Sequence, residues 1–88
     1  MALQRNPNVT ASEIDGELFL VEPLSNEIFY LNPISTGLWR LLETPQEHPG
    51  LISTLQAAFP DQPGDQIAAD VTDLLAAMQA AGLIRQDR

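Results

Sequence analysis

The segment from Gly16 to Glu43, Gly-Glu-Leu-Phe-Leu-Val-Glu-Pro-Leu-Ser-Asn-Glu-Ile-Phe-Tyr-Leu-Asn-Pro-Ile-Ser-Thr-Gly-Leu-Trp-Arg-Leu-Leu-Glu, leaves this chain few ways to fold. It places two strand patterns and a sharply started helix in immediate succession. Glu17 to Glu22 is apolar on both faces through Leu18, Phe19, Leu20 and Val21, the pattern of a central strand rather than a half-solvated edge. Pro23 stops it, Leu24-Ser25-Asn26 makes a turn, and Ile28 to Leu31 forms the next strand. Upstream, Val9 to Ile14 reads as a strand joined to Glu17 by Asp15-Gly16, the dipeptide suited to the positive φ angles of a type I′ hairpin. Three strands with short turns predict an antiparallel meander with an apolar strand, Ile28 to Leu31, at an open edge to which another chain can add.

Asn32-Pro33 then turns the chain into a helix over about 33–43, Asn as N-cap and Pro at the first helical position. Its apolar face is Ile34, Leu38, Leu41 and Leu42. Gly37 inside it predicts close packing against a neighbour, because glycine there costs about 1 kcal/mol relative to alanine, and Trp39 is expected to cover the seam between helix and sheet. A loop from Thr44 to Pro49 leads to a second helix over about 50–59 with Leu51, Ile52, Leu55, Ala58 and Phe59 on one face. Pro60 to Gly64 breaks that helix. A third helix over about 65–81 buries Ile67, Val71, Leu74, Leu75 and Met78. Gly82 suits the left-handed position beyond its end, Leu83 folds back on Met78, and Leu83-Ile84 packs as an extended tail. The outward side of this helix, Ala69, Asp73, Ala76 and Ala80, is nearly free of charge, which reads first as the helix propensity of alanine; the second reading, to which the flank of Asp70, Ala77 and Ala81 adds, is that small side chains permit close approach of a partner.

The reading is therefore α+β, one domain over residues 1–88: a three-stranded antiparallel sheet (about 9–14, 17–22 and 28–31) followed by three helices. Twelve acidic residues against four arginines, no lysine and a net charge of -8 make a surface that repels phosphate backbones and anionic membranes. Basic peptides or protein surfaces are the partners it attracts. Without cysteine there is no disulfide, thiolate metal site or thiol nucleophile. The lone His48 sits in a loop beside Glu47 with no triad around it, the carboxylates are scattered, and the glycines form no phosphate loop. No catalytic residue, metal ligand or cofactor is predicted. The N-terminal residues lack a hydrophobic signal core and no apolar run approaches ~20 residues, so the expected location is cytoplasmic.

The order of these elements, with Tyr30-Leu31-Asn32 leading into Gly37-Leu38-Trp39 and Ala81-Gly82-Leu83-Ile84 at the end, resembles the PqqD-like family. Its members are RiPP recognition elements, which serve pathways making ribosomally synthesised, post-translationally modified peptides. The resemblance implies a winged-helix-like domain that binds the leader segment of a precursor peptide as a strand added to the third strand, in a groove beside the third helix. It places the peptide-binding residues at Ile28, Phe29, Tyr30 and Leu31 on the strand and Asp70, Val71, Leu74, Leu75 and Met78 on the helix. The implied role is a non-catalytic peptide chaperone, a free-standing module that presents its peptide to a separate modifying enzyme, a radical SAM enzyme or a lasso-type protease among the candidates. Two other readings stand beside it. A winged-helix DNA-binding regulator would share the fold, but Asp65, Asp70 and Asp73 with no basic residue on the third helix argue against it. A homodimer formed through the open strand would make the domain an interaction module.

Overall fold

The computed structural model describes residues 2–86. Eight elements follow one another: β1 (Leu3–Arg5), β2 (Thr10–Ile14), β3 (Glu17–Glu22), β4 (Glu27–Tyr30), α1 (Pro33–Leu41), α2 (His48–Ala58), α3 (Gly64–Ala80) and β5 (Ile84–Gln86). The architecture is α+β. A three-stranded antiparallel sheet in the order β2-β3-β4 precedes the three helices, and a second, two-stranded sheet pairs β1 with β5.

Local rules account for the meander and the helix that follows. Asp15 and Gly16 both take positive φ, 53° and 81°, the geometry of a two-residue type I′ turn between β2 and β3. In β3 the side chains alternate as the pleat of a strand requires. Leu18 and Leu20 are buried beneath the helices, whereas Phe19 and Val21 lie half-buried on the outward face. Glu22, only 6% exposed, ends the strand with a purpose: its carboxylate accepts from the backbone N–H of Ser25 at 2.7 Å and from Ser25 Oγ at 3.0 Å, closing the turn to β4. These bonds, the backbone one foremost, hold its pKa below the ordinary carboxylate range against the opposing effect of burial.

Asn32 caps α1 by a reciprocal pair. Its Oδ1 accepts from the Ser35 N–H at 2.8 Å, and its own N–H donates to Ser35 Oγ at 2.9 Å. Gly37 lies where α1 meets α2: a Cβ added there would sit 2.9 Å from Cδ2 of Leu55. At the far end of the helical layer, Gly82 (φ 78°) ends α3 in a Schellman turn, with Leu83 N–H donating to the Met78 carbonyl at 2.9 Å and Gly82 N–H to that of Gln79 at 3.1 Å. The core is continuous from Leu18 and Leu20 of the sheet through Leu38 and Leu42, Leu51 and Leu55, to Ile67, Val71 and Leu83.

Several boundaries differ from the sequence expectation. His48 and Pro49 belong to α2 rather than to the preceding loop, because proline is at home in a first helical turn. β2 starts at Thr10 and β4 spans Glu27–Tyr30, one position earlier than expected, although Leu31 still donates its N–H to the Leu18 carbonyl at 2.9 Å. The expected apolar face of α2 is narrower than its pattern: Leu51 and Leu55 are buried, Ile52 and Phe59 half-buried, and Ala58 exposed.

The larger difference is the pairing of the two ends. Leu3, Gln4 and Arg5 lie opposite Gln86, Arg85 and Ile84, and Leu3 also exchanges backbone bonds with Gln46 at 2.7 and 2.9 Å. Arg5 fastens this sheet to α1. Its Nε donates to the Trp39 carbonyl at 2.8 Å, its Nη2 donates to the same oxygen, and its guanidinium stacks 4.5 Å from the centre of the Trp39 ring. The residues 83–84 expected as a tail are thus the anchor of a strand.

Candidate functional site

The sheet leaves the outer side of β4 without a partner among the described residues. Bonded and non-bonded pairs alternate along an antiparallel ladder. Leu31 bonds to Leu18, so with Phe29 opposite Leu20 and Glu27 opposite Glu22 the inward-bonding residues are Leu31, Phe29 and Glu27. The N–H and C=O groups of Ile28 and Tyr30 therefore point away from β3, into the open edge. That edge offers two donors and two acceptors in the spacing that an extended chain requires.

Beside it runs a hollow of about 210 Å³ between β4 and α3, lined by Phe29, Tyr30, Leu31, Asn32, Ser35, Leu74, Ala77, Met78 and Leu83. Its walls are mostly apolar. Phe29 and Leu31 are half-buried and face it from the strand, whereas Leu74 and Ala77 face it from the helix with Met78 at its base. The capping pair Asn32 and Ser35 closes one end. On the other face of the sheet Ile28 and Tyr30 project outward, 53% and 76% exposed, next to Val21 and Phe19 in the register.

The sequence-predicted residues thus divide into groups. Phe29, Tyr30, Leu31, Leu74 and Met78 come together around the hollow. Ile28 belongs to the edge through its backbone, but its side chain lies on the outward face with Phe19 and Tyr30. Asp70 sits one helical turn before Leu74, half-exposed, with Oδ1 accepting from Gln66 Nε2 at 2.9 Å; it flanks the hollow rather than lining it. Val71 and Leu75, with 0% and 3% exposure, are core residues beneath the helix and have no surface to offer an occupant. Helix periodicity puts them beside Leu74, but packing against the other helices turns them inward, and they do not line the hollow.

Asn32, Ser35, Ala77 and Leu83 were absent from the predicted site. Ala77 carried a signal, as it follows Leu74 by three residues on the flank of α3 that also holds Asp70 and Ala81. Leu83 reaches the hollow only because the Schellman turn folds the chain back. Charge around the site is one-sided: α3 carries Asp65, Asp70 and Asp73 and neither lysine nor arginine. Arg5 is held by Trp39, and Arg40 pairs with Glu13 at 3.2 Å. His48 contacts Thr72 Oγ1 at 3.2 Å on the exposed surface. Among the described residues no group of three or more His, Cys, Asp or Glu is placed to hold a metal ion, and no helix is long and apolar enough to cross a membrane.

The family described as coenzyme PQQ synthesis protein D (PqqD) matches residues 17–84, from β3 to the start of β5. No curated protein matches the chain. Among solved structures, TbiB1 in complex with the TbiA(beta) leader peptide is similar with a TM-score of 0.80 and 20% identity, over 97% of this chain and 98% of that one. At that identity the likeness is one of fold.

Proposed function

We infer function from one premise: this chain belongs to the PqqD family. It acts as a RiPP recognition element, a non-catalytic peptide chaperone that binds the leader segment of a ribosomally synthesised precursor and presents it to a separate modifying enzyme. The observation that carries this reading is the open edge of β4 lying against an apolar hollow on α3, since strand addition takes its affinity from backbone bonds and its selectivity from pockets for alternate side chains. Each ladder bond contributes about 0.5–1.5 kcal/mol net, so the apolar wall has to supply much of the affinity. The TbiB1 structure, which contains a leader peptide, lends support because its fold matches over nearly the whole of both chains. The net charge of -8 steers basic peptides toward the domain and makes association sensitive to salt.

Titration of isotopically labelled protein with synthetic leader segments of candidate precursor peptides tests the reading. Amide shifts concentrated at residues 28–31 and 74–78 are the expected result. Shifts confined to other elements would remove the site.

A further inference from the structure

An added strand has two faces, and only one of them meets the hollow. Successive side chains of a strand point to opposite sides of the sheet, so residues of an occupant lying opposite Phe29 and Leu31 enter the hollow, while those opposite Ile28 and Tyr30 project onto the outward face. That face is not the polar surface usual for the solvated side of an antiparallel sheet. It carries Ile28 and Tyr30 as two of the most exposed large apolar side chains of the domain, with Val21 and Phe19 behind them. The rings of Phe19 and Tyr30 are 5.9 Å apart and tilted by 45°, an aromatic pair that leaves most of Tyr30 exposed. A hollow of about 370 Å³ lies over this strip, bounded by the acidic pair Asp15 and Glu17.

Resting on the reading of β4 as a strand-addition site, we propose that the bound peptide is read on both faces. Its alternate side chains fill the α3 hollow, and the intervening ones pack on the outward strip beside Ile28 and Tyr30. The ligand class is therefore an extended segment with four successive apolar residues, flanked by neutral or basic residues, rather than an amphipathic strand with every second residue apolar. Cross-strand neighbours on one face stand within about 5 Å of each other at their Cβ atoms, so the outward pair of the peptide directly covers Ile28 and Tyr30. Asp15 and Glu17 reject acidic neighbours at the same end.

Selection of a random dodecapeptide display library on the immobilised full chain tests this whatever the natural ligand is. Runs of four apolar residues are expected to be enriched. On the Ile28→Thr/Tyr30→Thr double variant, whose substituted positions are exposed and whose fold is checked by circular dichroism, the preference should shrink to every second position. A selected peptide with its outward pair changed to serine should lose about tenfold in affinity for the original chain and under about twofold for the double variant, the signature of direct coupling. Enrichment of strictly alternating patterns on the original chain overturns the two-faced reading while leaving strand addition intact. Peptides that bind Tyr30→Pro as well as they bind the original chain, or no enrichment at all, overturn strand addition and this inference with it.

Discussion

The two edges of the three-stranded sheet expose the same backbone chemistry and dress it in opposite ways. On β2 the pairing of Thr10, Ser12 and Ile14 with Val21, Phe19 and Glu17 continues the alternation of the ladder and leaves the N–H and C=O groups of Ala11 and Glu13 pointing outward. That edge is guarded. Its sequence is Thr-Ala-Ser-Glu-Ile, and Glu13 stands on the same face as buried Leu18, paired with Arg40, a charge on the inner face of an edge strand. On β4 the sequence is Glu-Ile-Phe-Tyr, with no charged residue from Ile28 to Tyr30, and an apolar hollow lies alongside. Among the described residues, unpaired backbone is thus common to both edges, and the side chains around it are what differ.

Proline substitution separates the edges most strongly. Phe29→Pro removes an N–H that bonds inward to β3 and leaves a covered acceptor unpaired, a cost of about 1–3 kcal/mol before steric strain; thermal unfolding should register it as a drop of many degrees. Tyr30→Pro removes only an outward N–H, so the fold should persist while peptide affinity falls by about tenfold or more. Ala11→Pro makes the same change at the guarded edge. Calorimetric titration should find its peptide affinity unchanged, and equal losses for Ala11→Pro and Tyr30→Pro would erase the distinction between the edges.

Next in size is occlusion of the hollow. Ala77 is exposed and points no methyl into the core, so Ala77→Trp should retain the melting temperature within a few degrees yet weaken peptide binding by about tenfold, as expected when an anchor pocket is filled. Affinity that survives this change would mean that the edge binds without the wall. A third test removes the guard on β2. Glu13→Val deletes an exposed ion pair worth only about 0.2–1 kcal/mol, but it should convert β2 into an adhesive edge, seen as concentration-dependent self-association in solution scattering. A monomer at all concentrations would show that something other than Glu13 protects that strand.

The smallest effect concerns the turn into β4. Because the folded protein holds the Glu22 pKa below its ordinary value, the stabilisation is complete above the ordinary carboxylate range and is lost as pH falls through the depressed value. Denaturant unfolding at a series of pH values should therefore show an acid-side loss of stability that is smaller in Glu22→Gln, since the amide does not titrate. An identical acid limb in both proteins would mean that this carboxylate does not stabilise the approach to β4.

Much of the architecture was legible because it is encoded within a few residues. Asp15-Gly16 specifies its hairpin by φ, Asn32-Pro33 starts α1, and Gly82 ends α3; each depends on backbone sterics and on hydrogen bonds spanning three to five residues. The alternation of β3 was less plain. Phe19 and Val21 suggested burial on both sides, but helices cover only the side of Leu18 and Leu20. The hollow was half legible: the Ile28 to Leu31 edge could be read from the order of strands, whereas a stripe such as Val71, Leu74, Leu75 and Met78 names a helix face without saying which members sit at its centre.

Sequence by itself determined the order of the three meander strands and the three helices, the Asp15-Gly16 turn, the caps at Asn32 and Gly82, the negative charge and the apolar character of the strand that ends the sheet. Tertiary structure decided the rest. It turned Val71 and Leu75 into core while leaving Leu74 and Ala77 at the surface, because burial depends on which distant helices converge on each side chain. It made strands of Leu3–Arg5 and Ile84–Gln86, three-residue segments too short to show a period, by pairing the two ends of the described chain and tying them to Trp39 through Arg5. It also set β4 alongside Leu83, which the local turn after α3 folds back on Met78. Local backbone preferences cannot specify such contacts, since their free energy exists only when segments remote in the chain have met.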